Sequence, residues 1–242
     1  MKDLHTHILH NIDNGSSSLE ESLEMIKNAY LHGVTDIVLT PLYSTSSGYI
    51  ADNKTKNNLL KELKTWLEWS NISINLYLGN VVDLDDSLLS LNKEISTINN
   101  SRYLLVDLNI NDDEESIIDK IKKIKSKNIV PIIVCPNKWG NYYKREDFLL
   151  RLKEMGCLFQ GNIKGLYIRY GYKNNIMLKL MLKRDIIDFM ASDIHNSKEK
   201  IYQKDYKRKL FKITKSWEKI NKLLNDNFDK VINNLEIISQ EK

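Results

Sequence analysis

Two short stretches at opposite ends of the chain carry residue types that can hold a metal ion. The first is Asp3-Leu4-His5-Thr6-His7, which reads as a strand end. Strand side chains alternate faces with a period of two, so His5 and His7 point the same way. The second is Ala191-Ser192-Asp193-Ile194-His195, where an apolar run ends in another same-facing pair, Asp193 and His195. Imidazole and carboxylate groups brought together in this way suit a divalent cation. Such an ion makes hydrolysis the chemistry to expect. Two pairs so far apart in sequence can share an ion only if the first and last strands meet.

The elements between them alternate in a regular rhythm. After the turn Asp13-Asn14-Gly15, Ser18-Leu19-Glu20-Glu21 reads as a capping box opening a helix that closes at Gly33. Strands are predicted at 37–39, 74–78, 103–107, 130–135, 157–160 and 187–191, separated by helical stripes such as Ile117, Ile118, Ile121 and Ile124. With the opening strand this makes seven. Alternating strands and helices imply a parallel α/β sheet with right-handed crossovers. Closed, or nearly closed, into a barrel, that sheet would bring its first and last strands together. Functional groups would then project from the C-terminal strand ends. Those ends offer Leu42 and Tyr43, Asn80 and Val81, Asp107, Cys135 with Asn137 and Lys138, then Gln160 and Asn162. Lys138 is placed to hold an anionic substrate group.

Beyond the last strand, Leu210, Ile213, Trp217, Ile220, Leu224, Val231, Leu235 and Ile238 keep a three-four spacing. This predicts an amphipathic helix that packs on the barrel or forms a dimer seam. We expect a domain over residues 1–200 and a helical extension over 201–242. A basic run from Lys198 to Lys219 marks a solvated helix face or a docking surface for an acidic partner. The chain has 242 residues and a formal charge of +4, which gives nucleic-acid binding little support. Two cysteines in apolar runs, no signal-like leader and no membrane-length apolar stretch point to a soluble cytoplasmic protein.

The opening run from Asp3 to Gly15, the helix Leu19 to Met25, then Thr40-Pro41, Gly79, Tyr103 to Asp107, Pro136 and Ala191 to Asn196 resemble bacterial metal-dependent protein-tyrosine phosphatases. These belong to the polymerase-and-histidinol-phosphatase superfamily and accompany capsule and exopolysaccharide loci. The resemblance implies a distorted seven-stranded TIM-like (β/α) barrel, a cluster of up to three divalent metals, often manganese, and a tyrosine-kinase substrate. It matches His5, His7 and Asp193 to the first metal, with the bridging glutamate falling at or near Val81. The second metal would keep Asp107, shortened from glutamate, while its histidine is Cys135. The third would keep His195, with Asn14 and Leu42 in place of its acid and histidine. Lys138 replaces an arginine that grips phosphate, a point charge for a fork. Without the bridging carboxylate two dications repel at close range, so one manganese or zinc ion is expected, with Asp107 and Cys135 as further ligands. These substitutions leave open an active phosphatase, an inactive relative that binds a phosphotyrosine tail or kinase, and a phosphoesterase for a small ester.

Overall fold

Strands rich in Val, Ile and Leu and buried on both faces pair in parallel, as helix-covered sheets require. In the computed structural model, residues 1–85, 93–109, 112–139, 146–202 and 205–237 are described. The strands are β1 (Lys2–Thr6), β2 (Asp36–Leu39), β3 (Leu42–Tyr43), β4 (Asn75–Leu78), β5 (Val81–Asp83), β6 (Tyr103–Asp107), β7 (Val130–Val134), β8 (Leu158–Asn162) and β9 (Phe189–Ala191). They form two sheets, ordered β1-β2-β4 and β3-β5-β6-β7-β8-β9, with every pairing parallel.

The hydrogen-bonded strands thus fall into two parallel sheets, where the rhythm of the sequence implies one sheet of seven strands closed or nearly closed into a barrel. The strands expected at 37–39 and 74–78 end where predicted, but after Thr40-Pro41 and after Gly79-Asn80 a further short strand follows each, β3 and β5. Pro41 has no N–H to donate to a ladder, so β2 stops and β3 pairs in the other sheet. The first and last strands meet all the same. Thr6 bridges Ile194 in parallel, His7 N donates to the Ile194 carbonyl at 2.9 Å, and Asp193 N donates to the His5 carbonyl at 3.0 Å. Asp3 reinforces the join from beneath, accepting from Ser192 N at 3.0 Å and from the Tyr202 hydroxyl at 2.5 Å.

Helices α1 (Leu19–Leu31), α2 (Asn53–Ser70), α3 (Glu114–Lys125), α4 (Glu146–Glu154) and α5 (Tyr172–Lys183) cover the sheets. Ser18 caps α1 by accepting from Glu21 N, and the isoleucine stripe of α3 is buried as its spacing predicts. A second, interior cluster contains Leu4, Val38, Val81, Leu105, Val134 and Phe189.

The single C-terminal helix expected from the spacing is broken. Lys215 takes a left-handed conformation (φ 56°), and Ser216 caps a new start. The pieces are α6 (Tyr206–Thr214), α7 (Trp217–Asn221), a π turn over Lys222–Asp226, and α8 (Asn227–Ile232). Lys198 and Lys200 precede these helices, while Lys204 and Ile238 lie outside the described residues. Leu210, Ile220 and Leu224 enter the main core, and Phe228 and Val231 of α8 join the interior cluster. Among the described residues, no helix is long and apolar enough to cross a membrane.

Candidate metal centre

Three ligand atoms converge where β1 meets the segment after β9. His5 Nε2 and His7 Nε2 are 3.2 Å apart, and Asp193 Oδ1 lies 3.5 Å from each. Ligands about 2.0–2.1 Å from zinc at tetrahedral angles stand about 3.3–3.4 Å apart, so this triangle matches one face of a coordination tetrahedron. All three side chains are almost wholly buried.

Both imidazoles are oriented from behind. Gln160 donates its Nε2 to the Gly161 carbonyl at 2.7 Å, which turns its oxygen towards His5 Nδ1, 3.0 Å away. His7 Nδ1 donates to Asp13 Oδ2 at 2.7 Å, and Asp13 also accepts from Leu42 N and Gly15 N. With each Nδ1 engaged as a donor, each Nε2 presents its lone pair to the centre. Burial pushes His5 down to about 3 against the pull of Asp193. The Asp13 and Asp193 carboxylates overcome burial at His7 and raise it to about 9. Without metal, then, the two facing Nε2 atoms share one further proton, carried by His7, and an ion must displace it to reach that lone pair. Asp13→Asn should weaken metal binding by about 10–100-fold while the fold is kept, as read by titration calorimetry.

The other oxygen of Asp193 accepts from Lys138 Nζ at 2.7 Å and Asn162 Nδ2 at 2.8 Å. Cys135 Sγ lies 3.8 Å from it. Asp193 and Cys135 both follow parallel strands in left-handed conformations, at φ 51° and 50°. Non-glycine residues rarely adopt that region, and it concentrates at functional sites. The second histidine–acid pair is therefore not a continuing strand as its spacing suggests. A tight turn aims Asp193 inward.

A family model for capsular polysaccharide synthesis proteins of the CpsB/CapC type matches residues 1–233. The chain belongs to the CpsB/CapC family. CapC of Staphylococcus aureus is 32% identical over 200 residues, covering 81% of this chain and 77% of CapC. The tyrosine-protein phosphatase CpsB of Streptococcus pneumoniae is 28% identical over 204 residues, 81% of this chain and 83% of CpsB. Among solved structures, one described as the metal-dependent tyrosine phosphatases YwqE of Bacillus subtilis and CpsB superposes with a TM-score of 0.86. It is 20% identical, with 99% of this chain and 97% of that one covered. A histidinol phosphate phosphatase from Lactococcus lactis shares the fold at a TM-score of 0.62 and 13% identity, over 87% of this chain and 93% of that one.

In this CpsB/CapC chain the remaining expected site residues divide. His195 stays at the centre, its ring stacked 4.0 Å from that of His7 and its Nδ1 3.0 Å from the Asp193 carbonyl. Ligand atoms fall into two close groups among the described residues, His5–Cys135–Asp193 and His7–Asp193–His195. Burial pushes the Cys135 thiol well up, so it is protonated at neutral pH and a poor ligand until an ion displaces the proton. Asp107 belongs to neither group. It ends β6 beside Asp83 and lines a cavity of about 490 Å³ with Asp85 and Asp112. Enclosure by those walls, with Asp83 and Asp193 adding and Lys138 opposing, moves its carboxyl up to about 6 although its edge reaches solvent.

Val81 points into the interior apolar cluster, Leu42 offers Asp13 a backbone N–H, and Asn14 is exposed at its turn. None of these three contributes a ligand. Asp13 escaped the sequence reading because it looks like a turn former. Its six-residue distance from His7 is the only trace of its role. Gln160 and Asn162 were visible as strand-end residues, but which ligand each supports depends on the sheet order.

Proposed function

We propose that this chain is a metal-dependent protein-tyrosine phosphatase of the cytoplasm, hydrolysing phosphate monoesters on a tyrosine kinase that governs capsule or exopolysaccharide synthesis. Residues 1–200 form the catalytic unit, a distorted (β/α) barrel of seven strand positions, and 201–242 pack on it. The observation that carries the reading is the triangle of His5, His7 and Asp193, with both imidazole tautomers set by Gln160 and Asp13. These residues would hold one manganese or zinc ion, which supplies Lewis acidity toward the phosphoryl oxygens and activates water.

The chain's own groups do the rest. Lys138, about half exposed, can swing its ammonium from Asp193 to a phosphoryl oxygen and offset the charge that builds there. Asp193 keeps Asn162 as a donor when Lys138 leaves, so its carboxylate is not stranded. Asp107, on the same rim, is protonated up to about pH 6 and can deliver that proton to the departing phenolate oxygen. Phosphotyrosine turnover should therefore fall as pH rises through about 6, and Asp107→Asn should flatten that limb. An aryl ester with an acidic leaving group should be less affected.

The deciding experiment strips the protein of metal, reloads it with manganese or zinc, and follows aryl phosphate hydrolysis in wild type and His5→Ala. Turnover that depends on the ion and on His5 supports the reading. An ion bound without turnover supports the second reading, a phosphotyrosine-binding relative without activity. The contact of Lys138 with Asp193 and the apolar Leu42 and Val81 favour that alternative.

A further inference from the structure

A second cavity, of about 550 Å³, opens between α5 and α6 and shares no lining residue with the metal centre. Lys179 and Lys183 line it from α5, Lys209 and Lys212 from α6, and Arg169 from the segment joining β8 to α5. No carboxylate lines it among the described residues, and its floor includes Leu166, Ile168 and Ile213. Lys179, Lys183 and Lys212 make no ion pair or hydrogen bond among the described residues. Five cations gathered around one cleft repel each other, and among the described residues one of them, Lys209, has a carboxylate partner, Asp205 at 3.6 Å, which also accepts from the Tyr167 hydroxyl at 2.7 Å.

We infer that this cleft is a docking site for an acidic peptide segment of a protein partner. Lys179 and Lys183 stand one helical turn apart, about 6 Å along the axis. Alternate side chains of an extended peptide recur every 6.6–6.8 Å, roughly, so successive acidic side chains can meet successive lysines. The apolar floor receives the aliphatic stems between them. Single-stranded nucleic acid is a poorer fit. The one aromatic ring in the lining, Tyr167, is buried, with Arg169 at 5.4 Å and Lys209 at 4.8 Å from its centroid, and offers a base little to stack on.

The position ties the cleft to the metal centre. The segment that carries Asn162 to Asp193 runs on through a short 3₁₀ turn (Ile163–Leu166) to Tyr167 and Arg169. Arg169 then reaches the Lys200 carbonyl, in the segment that follows His195. A peptide held along the cleft would have its Arg169 end joined to the metal centre by these segments. The partner's being a phosphoprotein rests on the phosphatase reading; the affinity for an acidic peptide does not.

The test uses the full chain and a fluorescein-labelled peptide of alternating glutamates, with and without a central phosphotyrosine. The variants are Lys179→Glu/Lys183→Glu and the milder Lys179→Gln/Lys183→Gln, each checked for an unchanged melt. Wild type should bind the unphosphorylated acidic peptide, and the glutamine pair should bind it about three- to tenfold more weakly. Binding should also weaken with added salt. KM for the phosphopeptide should rise by the same factor, with its kcat and the turnover of p-nitrophenyl phosphate unchanged. Equal binding by wild type and both variants, or equally tight binding of a serine-substituted peptide, overturns the inference. So does a loss confined to phosphatidylserine vesicles or single-stranded DNA. Should wild type bind the acidic peptide in this charge-dependent way yet hydrolyse nothing, the docking site stands and the phosphatase reading falls.

Discussion

Asp193→Asn should leave the protein without bound metal and without phosphatase activity, and should lower its stability by about 2–4 kcal/mol at pH 7. One carboxylate serves two sets of partners: Oδ1 faces the two imidazoles, and Oδ2 takes Lys138 and Asn162. An asparagine cannot serve both. With its oxygen towards Lys138 its amino group points at the two Nε2 atoms, placing a donor where an ion needs a ligand. Losing an outer partner of a metal-binding histidine costs about 10–100-fold in affinity, so losing a ligand should exceed a hundredfold. The stability loss arises because Lys138 and the proton on His7 are left facing a neutral group. It stays towards the lower end for a buried pair because Lys138 is half exposed.

The pH dependence separates these effects. His7 is raised to about 9 in the folded protein against an ordinary value near 6.5, so its contribution is complete below about 6.5 and lost as pH rises through 9. From pH 7 to pH 9.5 metal-free wild type should therefore lose this component, against a rise from Lys56 that both proteins share, so Asp193→Asn should gain stability relative to wild type over that interval. Added zinc or manganese should reverse the sign, raising the melting temperature more at high pH, because the ion displaces that proton. Calorimetric melts with metal analysis read all three outcomes. A folded Asp193→Asn protein that still carries metal would remove Asp193 from the centre.

How much of this was legible in the sequence depends on the range of the interaction. His5 and His7 are two residues apart on one strand, so their shared direction follows from local geometry. The isoleucine stripe of α3 and the Ser18 cap are local in the same sense. Spacing also singles out Asp193 and His195, although strand alternation is not what directs them. β9 ends at Ala191, and a left-handed Asp193 rather than strand alternation brings the carboxylate in. The strands that resume after Pro41 and Asn80 are only two and three residues long, too short for an alternation to show, and the break at Lys215 is hidden because helical periodicity persists in the side chains across it. Gln160 and Asp13 show the opposite limit. Their side chains are ordinary, and only the pairing of β8 with its neighbours and the folded turn after His7 reveal what they hold.

Lys56 was invisible for the same reason, and it should be one of the most costly residues to remove. On sequence it is one of several lysines in a polar helix, yet its side chain is wholly buried. Its ammonium donates to Asn80 Oδ1 at 2.7 Å, the Glu94 carbonyl at 2.6 Å and Ser96 Oγ at 3.0 Å. These bonds fasten α2 to the strand break at Gly79-Asn80, and Asn80 in turn donates to the Pro41 carbonyl at the other break. Lys56→Met keeps the aliphatic stem but takes a charged donor from all three acceptors. Asn80 Oδ1 keeps Ser96 N at 2.9 Å and Ser96 Oγ still donates to Asn53 Oδ1 at 2.7 Å. The cost is therefore that of lost charge-assisted hydrogen bonds, about 1.5–3 kcal/mol each at most, rather than of three unpaired groups. Relief from burying an ammonium offsets part of this, and burial already lowers Lys56 to about 8. The net loss should be about 1–3 kcal/mol at pH 7, or on the order of 5 °C in melting temperature for a chain of this size. Because the folded protein releases this proton near 8 and the unfolded chain near 10.5, wild-type stability should gain a rising component between those values. Lys56→Met should lack it, so the gap between wild type and variant widens as pH rises from 8 to 10.5. A gap that is absent, or that narrows over that interval, would mean that Lys56 does not hold the two strand breaks together.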